Sequence, residues 1–396
     1  MGGQYRLAEL GFWDRLMSRF GYFNVGWVSL LIVALWRPPL WADEWPTFHG
    51  NYALTGYADV KIPKKPRLHW RFQADSQITA TPVADGSLIF FATEKGTIYA
   101  LNHAGTKKWS MSLTSTNEDQ SVTIVSPLAV VEDSIVATTL QGLVFRIGQE
   151  TNNVVWRHDT EETITSAATW YKPEHGPGRV IVLNQSSGRL RALNVDSGEL
   201  IWETAGAERA DGHLTLANEK LVFGSCASAI HTVSAIDGLP GASVPLGQGA
   251  EIAGGVAASD GRVFTGNRSG AIVSVDLNAN TSVWVNAEWS GELFTTPAVH
   301  NQRVVVANGE GDIVCVDAET GKKLWLYKSG ASQARSPVIA GDAVVASLDG
   351  TLHLLRLSDG KKIWSYDISD EITSPAIVNR MIVVGTDEGQ VVCFGQ

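Results

Sequence analysis

Short runs in which apolar and polar residues alternate recur along most of the chain, and turn residues bound each run. Residues 97–101 and 351–355 are two clear examples. Alternation with a period of two, rich in Val, Ile, Leu and Tyr, is the signal of a half-buried β-strand. A glycine precedes each run, as at Gly96 and Gly350, and supplies the positive φ of a tight hairpin. The pattern therefore predicts an all-β chain of short, hairpin-linked strands.

A frame that runs from one glycine to a tryptophan repeats through the chain and sets its period. The clearest copy starts at Gly311, passes a second hairpin glycine at Gly321 and ends at Trp325. The tryptophans of the series are separated by 39, 47, 46, 82, 41 and 39 residues: Trp70, Trp109, Trp156, Trp202, Trp284, Trp325 and Trp364. A fixed period of about 40 residues indicates a repeat architecture.

Several repeats also contain a Ser/Thr-Pro pair that is followed by an apolar residue, as at Pro82, Pro127, Pro297 and Pro375. Proline cannot donate a hydrogen bond to a strand ladder, so it belongs at a strand start or on an edge strand. The innermost strand of a propeller blade is such an edge. With the apolar runs that follow, each repeat holds four short strands, which is one blade of a β-propeller.

The spacing of the tryptophans predicts the number of blades. The interval of 82 residues hides one degenerate blade, in which Gly238 is in phase and Val244 is expected at the tryptophan position. Only three strands follow Trp364, so a strand at 68–72 is expected to complete the last blade and leave no open edge. The prediction is an eight-bladed β-propeller of four-stranded antiparallel blades over residues 68–396.

The N-terminus differs in kind from the repeats. Residues 25–36 form an apolar run of 12 residues behind Arg15 and Arg19, which is typical of a signal peptide rather than a membrane span. Residues 1–42 are interpreted as a signal peptide cleaved after Ala42, with an uncleaved N-terminal anchor as the alternative. Residues 43–67 are then an extended lead-in segment. This organisation predicts a periplasmic or secreted protein that contacts a membrane only through an uncleaved N-terminus.

Candidate chemistry is sparse. The 9 histidines are scattered without metal-binding spacing, and no nucleophile-elbow or phosphate-loop motif is present. Cys226, Cys315 and Cys393 are interpreted as small hydrophobic residues. The formal net charge of −10 argues against nucleic acid as a partner, because nucleic-acid binding needs a basic surface. No catalytic residue, cofactor site or metal site is predicted from these patterns.

The residues between Gly311 and Trp325 resemble the repeat of the pyrroloquinoline-quinone (PQQ)-like β-propellers. The segment 45–51, Trp-Pro-Thr-Phe-His-Gly-Asn, is similar to one found ahead of the first blade in that family. The likeness covers residues 43–396, almost the whole chain. It implies that the outer-strand tryptophans wedge between neighbouring blades and are structural.

The family that the chain resembles has two kinds of member. Quinoprotein dehydrogenases hold the quinone at the ring axis on a Trp floor, under a disulfide between adjacent cysteines, with a bound Ca²⁺. This chain has no adjacent cysteine pair and is shorter. Non-catalytic members include the lipoprotein B subunit of the outer-membrane β-barrel assembly machinery. That lipoprotein is anchored through a cysteine at its cleavage site, where this chain has Ala42 and Asp43.

The resemblance favours an exported, non-catalytic propeller that acts as a scaffold for an unidentified protein partner in the cell envelope. Two alternatives remain open. One is a PQQ-dependent dehydrogenase-like oxidoreductase, which would require PQQ and calcium. The other is an outer-membrane protein assembly factor.

The loops that enter the innermost strands are acidic in most blades, and Arg335 interrupts the series. Strand order places these loops on one face, so they could form a ring of carboxylates that attracts a cation or a basic peptide. The alternative is ordinary solvated charge. The members of this series are Asp75, Glu118, Asp119, Glu162, Asp211, Glu251, Glu292, Asp370 and Glu371.

Two loops are longer than their counterparts in other blades. Residues 112–120 enlarge a loop on the acidic face, and residues 170–179 lengthen a hairpin on the opposite face. The second loop offers Trp170, Tyr171 and Arg179 as a partner contact, because function is often carried by irregular loops on a rigid scaffold. A tolerated insertion is the alternative.

Overall fold

The computed structural model describes residues 44–115, 121–289 and 291–396, so the leader predicted at 1–42 lies outside the described residues. Eight separate antiparallel sheets follow one another along the chain. The first strands of successive sheets are neighbours, which places them around a common axis. The chain is therefore an eight-bladed β-propeller, as the repeat spacing predicted. No helix among the described residues is long and apolar enough to cross a membrane.

Two strands and one 3-10 turn precede the blades: the turn Phe48–Gly50, β1 (Tyr57–Ala58) and β2 (Arg67–Gln73). Blades one to four consist of β3 (Val83–Ala84), β4 (Leu88–Ala92), β5 (Thr97–Asn102), β6 (Lys107–Ser112); β7 (Ala129–Val131), β8 (Ser134–Thr138), β9 (Leu143–Gly148), β10 (Val154–Asp159); β11 (Thr169–Tyr171), β12 (Arg179–Leu183), β13 (Leu190–Asn194), β14 (Leu200–Glu203); and β15 (Thr215–Ala217), β16 (Lys220–Ser225), β17 (Ala229–Ser234), β18 (Pro240–Pro245).

Blades five to eight consist of β19 (Ala257–Ser259), β20 (Arg262–Gly266), β21 (Ile272–Asp276), β22 (Thr281–Asn286); β23 (Ala298–His300), β24 (Arg303–Ala307), β25 (Ile313–Asp317), β26 (Lys323–Tyr327); β27 (Val338–Ala340), β28 (Ala343–Leu348), β29 (Thr351–Arg356), β30 (Lys362–Asp367); and β31 (Ala376–Val378), β32 (Met381–Gly385), β33 (Gln390–Gly395). The strands β1 to β33 are used below with these bounds.

The ring is closed by the N-terminal strand, which confirms the prediction from the missing fourth strand. Strand β2 pairs antiparallel with β33, from Arg67 opposite Gly395 to Gln73 opposite Gln390. The outer edge of the last blade is thus covered by residues that precede the first blade. Strand β1 adds in parallel to β27 and makes blade seven five-stranded, which the sequence pattern did not predict.

The recurring tryptophans wedge between neighbouring blades. The Trp156 ring of blade two packs on Gly198 of blade three, where a Cβ atom would lie 2.7 Å from the ring, and Gly198 has φ +73. The Trp156 indole N–H donates to the carbonyl of Val195 at 2.7 Å. The same packing recurs between Trp325 and Gly360. These contacts confirm the structural role that the family resemblance implied.

The structure corrects the position of the lost tryptophan in blade four. In blade three Trp202 lies two residues after Leu200, which pairs with Leu193 just beyond a β-bulge. In blade four Pro240 pairs with Val233 just beyond the equivalent bulge, which makes Pro240 the counterpart of Leu200. The counterpart of Trp202 is therefore Ala242, two residues later, and not Val244. Val244 belongs two residues further along the strand. Counting from the average period misplaced the residue, because the hairpin glycine defines the register.

The lead-in segment follows the inner edges of the blades instead of crossing to β2 by a direct route. Six of its residues hydrogen-bond through their backbone to innermost strands of different blades: Trp45 with Ala84, Pro46 with Val130, Tyr52 with Leu216, Ala53 with Ala258, Thr55 with Val299 and Gly56 with Ile339. These bonds satisfy backbone donors on edges that would otherwise be unpaired. Residues 45–56 therefore line the axis of the ring.

Side chains of the same segment fill the space at the axis. Trp45 is 1% exposed, and Phe48 and Leu54 pack with Ala167 of blade three. His49 is also buried and has its two ring nitrogens 2.9 Å from the carbonyl of Leu54 and 3.0 Å from that of Pro337. One end of the channel is consequently closed by the chain itself.

Candidate functional site

The loops that enter the innermost strands share one face of the ring with the hairpins between second and third strands. Backbone hydrogen bonds join the two sets within a blade, from Cys226 N–H to the Arg209 carbonyl and from Arg268 N–H to the Glu251 carbonyl. We call this surface the mouth face. This is the face on which the strand order predicted the acidic loops, and the lead-in segment lies on the opposite face.

Four of the seven predicted mouth-face carboxylates that the structure describes have basic partners. Glu162 lies 3.7 Å from Arg189 and 3.3 Å from Arg191, two cations of the same blade. Three further ion pairs are Asp211 with Arg209 at 2.8 Å, Glu292 with Arg268 at 3.8 Å and Glu371 with Arg335 at 2.9 Å. Basic side chains therefore lie beside four of the carboxylates in the predicted acidic series. Of these arginines, the sequence analysis identified only Arg335.

The remaining predicted carboxylates differ in their surroundings. Asp75 accepts a hydrogen bond of 2.6 Å from the hydroxyl of Thr97. Glu251 is half-buried and Asp370 is exposed. Glu118 and Asp119, in the enlarged loop, lie outside the described residues. The structure thus distributes these groups around the mouth and does not gather them into one site.

Across blades four to six the mouth face combines both signs of charge with an exposed aromatic ring. Phe294 is 40% exposed, and the Arg268 guanidinium lies over it at 5.1 Å from the ring centre. Burial and the nearby carboxylate of Asp211 raise the pKa of the Cys226 thiol, which keeps it a protonated and weak nucleophile. We call this surface the mouth patch: Arg209, Asp211, Glu251, Arg268, Glu292 and Phe294.

Sequence analysis selected the three acidic members of the mouth patch but not Phe294, Arg268 or Arg209. Phe294 precedes the strand-start proline of blade six, where the other blades carry varied residues, so its position alone carried no signal. Arg268 lies in a hairpin of a different part of the repeat. Only folding brings the two residues into contact.

The overlong hairpin at 170–179 does not present the partner contact that was proposed for it. Tyr171 and Arg179 are 7% and 8% exposed, and the Arg179 guanidinium lies 5.9 Å from the centre of the Tyr171 ring. The Tyr171 hydroxyl donates to Glu219 of blade four at 3.4 Å. Trp170 is half-buried and packs against Gly178. Tyr171 thus packs between blades three and four, whereas Trp170, on the opposite face of β11, packs with residues of blades two and three.

The ring axis holds a cavity of about 230 Å³ that opens at the mouth face. Phe48 and His213, stacked with ring centres 3.9 Å apart, line it together with threonine and serine hydroxyls. Arg335 is the only Arg, Lys, Asp or Glu among the described residues that line the cavity. A quinone with bound calcium would require an aromatic floor of Trp and acidic or amide ligands. The lining residues do not fit that group.

No group of three or more His, Cys, Asp or Glu side chains that could hold a metal ion occurs within residues 44–115, 121–289 and 291–396. Cys315 and Cys393 are buried in different blades, and burial raises the pKa of each thiol to about 12. Cys226 is partly exposed at the mouth face. The three cysteines are thus dispersed over the ring.

The histidines at the axis make stability dependent on pH. Burial lowers the pKa of His49 to about 4 and that of His213 to about 3, against 6.5 for the unfolded chain. Because the unfolded state binds protons first, these groups lower the free energy of unfolding as the pH falls below 6.5, down to their folded pKa values. For His49 alone we expect a loss of about 3 kcal/mol over that range.

Urea unfolding at pH 7 and pH 4.5 measures this loss, and His213→Phe provides the comparison. Phenylalanine retains the stack on Phe48 but cannot be protonated, and the His213 Nδ1 atom has no hydrogen-bond partner that would be lost. The variant should lose less stability on acidification than the unmodified protein. An equal loss in both proteins would show that His213 does not contribute.

The comparisons with known proteins agree with this fold. A family model described as outer membrane protein assembly factor BamB matches residues 63–137, 122–239 and 231–396. The BamB of Alkalilimnicola ehrlichii is 29% identical over 194 residues, which are 46% of this chain and 49% of that protein. The match thus spans about half the length of that curated relative.

Solved structures share the propeller at low identity. The crystal structure of BamB from Moraxella catarrhalis has a TM-score of 0.71 at 17% identity, covering 84% of this chain and 100% of that one. Quinohemoprotein alcohol dehydrogenase from Comamonas testosteroni has a TM-score of 0.72 at 13% identity, covering 89% and 80%. A BamB and an alcohol dehydrogenase therefore match equally well, and these likenesses show the fold alone. By its repeat and the family model that covers all its blades, the chain belongs to the PQQ-like propeller family of the outer membrane protein assembly factor BamB.

Proposed function

We propose that the chain is an exported, non-catalytic scaffold for outer-membrane protein assembly, which binds a protein partner through the mouth patch. Membership of the family supports the assembly role, since its model is described as an outer-membrane assembly factor. The leader at 1–42 would deliver the propeller to the periplasm. N-terminal sequencing of the mature protein would test cleavage after Ala42.

The observation that carries the proposal is the exposed ring of Phe294 under the guanidinium of Arg268. Aromatic residues and arginine supply much of the binding energy at protein interfaces, where neighbouring charges provide specificity. Arg268 is held on its other side by Glu292 at 3.8 Å, which orients it over the ring. A rigid propeller that presents such a pair needs little reorganisation on binding.

The axis supports a scaffold better than a quinoprotein. Its lining includes hydroxyls, Phe48, His213, Phe294 and Arg335, and it lacks the carboxylate and amide ligands that a quinone with calcium would need. The lead-in segment occupies the opposite end of the ring. Binding is therefore assigned to the surface of the mouth face and not to a cofactor within the ring.

Crosslinking and affinity capture from solubilised envelope test this function. The unmodified protein should recover a component of the barrel-assembly machinery. Phe294→Ala and Arg268→Glu should each reduce that recovery at least tenfold, which corresponds to a loss of about 1.4 kcal/mol or more.

Two control variants lie away from the mouth patch. Val285→Ala removes an apolar side chain that is 57% exposed on an outer strand, and Lys361→Glu reverses a charge on an exposed hairpin. Both should retain full recovery. If the unmodified protein captures no barrel-assembly component, the assembly role is wrong. If the mouth-patch variants capture as much as the controls, the binding surface lies elsewhere.

A further inference from the structure

A cleft of about 850 Å³ lies between blades four and five on the face opposite the mouth. It lies at the junction where the outer strand of blade four has no tryptophan to pack against the hairpin of blade five. Ala242 occupies the tryptophan position of blade four and lines the cleft together with Gly241, Val233 and Leu277. The cleft is thus the space that the repeat fills with an indole elsewhere.

The adjacent junction, between blades five and six, shows how an indole is held. The Trp284 ring packs on Gly321, where a Cβ atom would lie 2.6 Å away, and its N–H donates to the Ala318 carbonyl at 2.9 Å. Arg262, at the start of the second strand of blade five, donates to the same carbonyl at 3.4 Å. One carbonyl oxygen therefore accepts from both an indole and a cation.

The cleft retains these features without its own tryptophan. Leu277 is the counterpart of Ala318, three residues before the hairpin residue Asn280, which has φ +54. Lys220, the counterpart of Arg262, donates to the Leu277 carbonyl at 2.7 Å. A carbonyl oxygen has two lone pairs, so Leu277 can accept one further N–H.

An asparagine in the hairpin is compatible with an indole. At the junction of blades two and three the hairpin residue is Gly198, but at that of blades one and two it is Asn152, with φ +49. The Trp109 N–H nevertheless donates there to the Gln149 carbonyl at 2.8 Å. Asn280 therefore does not exclude an indole from the cleft.

The rim of the cleft is apolar. Leu239 is 63% exposed and Ile236 is 42% exposed, and both line the opening. The outer strand beside it begins and ends in proline, at Pro240 and Pro245. Because proline has no N–H, an added strand would find fewer donors on this edge. Recognition here would rely on side chains and not on strand addition.

We propose that this cleft binds a tryptophan side chain of a partner polypeptide, with the indole N–H on the Leu277 carbonyl and the ring against the Asn280 hairpin. The repeat itself defines the ligand, because the neighbouring junctions enclose indoles in the same frame. The apolar rim formed by Leu239 and Ile236 would cover the residues that flank the tryptophan. The cleft is a second surface, on the opposite face from the mouth patch, and does not depend on the proposed function.

A short peptide with one fluorotryptophan, flanked by glycine and serine, is the probe. Fluorine NMR of this peptide should show line broadening with the full chain, which excess unlabelled tryptophan peptide reverses and the matching leucine peptide does not. Ala242→Trp should weaken binding at least tenfold, because its own indole would occupy the site. Ala242→Ser leaves the cleft open and should bind as the unmodified protein does.

A second pair of variants changes only exposed side chains, so the packing inside the fold is retained. Leu239→Asp places a charge on the apolar rim and should weaken binding severalfold, whereas Leu324→Asp, on the exposed outer strand of blade six, should not. No broadening with the unmodified protein, or equal broadening with Ala242→Trp, would overturn the proposal. Phe294→Ala should leave peptide binding unchanged, which separates this result from the test of the mouth patch.

Discussion

Replacement of Trp45 by alanine is expected to lower the free energy of unfolding by about 3–5 kcal/mol, the range for removal of a fully buried large aromatic side chain. Trp45 is 1% exposed and packs on Gly50, where a Cβ atom would lie 2.7 Å from its ring. Its backbone exchanges two hydrogen bonds with Ala84 of blade one. The side chain thus fixes the lead-in segment to the ring. Urea unfolding at pH 7 measures the change.

Trp45→Phe is the matched variant. The indole N–H has no hydrogen-bond partner among the described atoms, so phenylalanine loses ring volume but no polar contact. We expect a cost of about 1 kcal/mol, close to that of other conservative aromatic changes. If alanine cost no more than phenylalanine, the lead-in segment would not contribute to the stability of the propeller.

Removal of the closing strand β2 should change the association state of the protein in solution more than the Trp45 substitutions do. A chain that begins at Ala74 lacks β2, which leaves the outer edge of β33 unpaired. The Trp70 ring, which packs on Gly105 of blade one, is lost with it. Unpaired strand edges promote association between chains. We expect at least a tenfold loss of monomer on size-exclusion chromatography with light scattering.

Two longer chains separate the contribution of the closing strand β2 from that of residues 45–56, which close the axis. A chain that begins at Glu44 retains all the described residues and should behave as the full-length protein does. A chain that begins at Tyr57 retains β2 but loses residues 45–56, so it should elute at the same size but unfold at lower urea. If the chain that begins at Ala74 eluted at that size as well, the blades would close without β2.

Much of the fold was predictable because the same glycine-to-tryptophan pattern recurs in most blades. Each glycine-to-tryptophan frame specifies two hairpins and an outer strand, and Trp364 followed by only three strands required a closing strand at 68–72. These signals are local. The lost tryptophan shows their limit, because the average period suggested Val244 while the β-bulge register places Ala242 in its position.

The candidate site was predictable only in part, because its pairs are distant in sequence. Glu371 was selected as a member of an acidic series and Arg335 as its interruption, but only the structure shows that the two side chains pair at 2.9 Å between neighbouring blades. Tyr171 and Arg179 were selected for exposure, yet β11 and β12 turn them into the junction with blade four. The sequence period shows which residues of a strand alternate between its two faces, but it does not show which loops contact each other in the folded ring.

The sequence by itself determined the propeller and the number of its blades, because hydrogen-bonding patterns within one repeat depend on residues close in the chain. It also determined the closing strand, because only three strands follow Trp364 and the last blade needs a fourth. Only the tertiary structure decided that Phe294 lies under Arg268, that residues 45–56 close the axis and that Ala242 leaves a cleft beside Leu277. Those features arise between blades. Their free energy comes from contacts that exist only once the ring has closed.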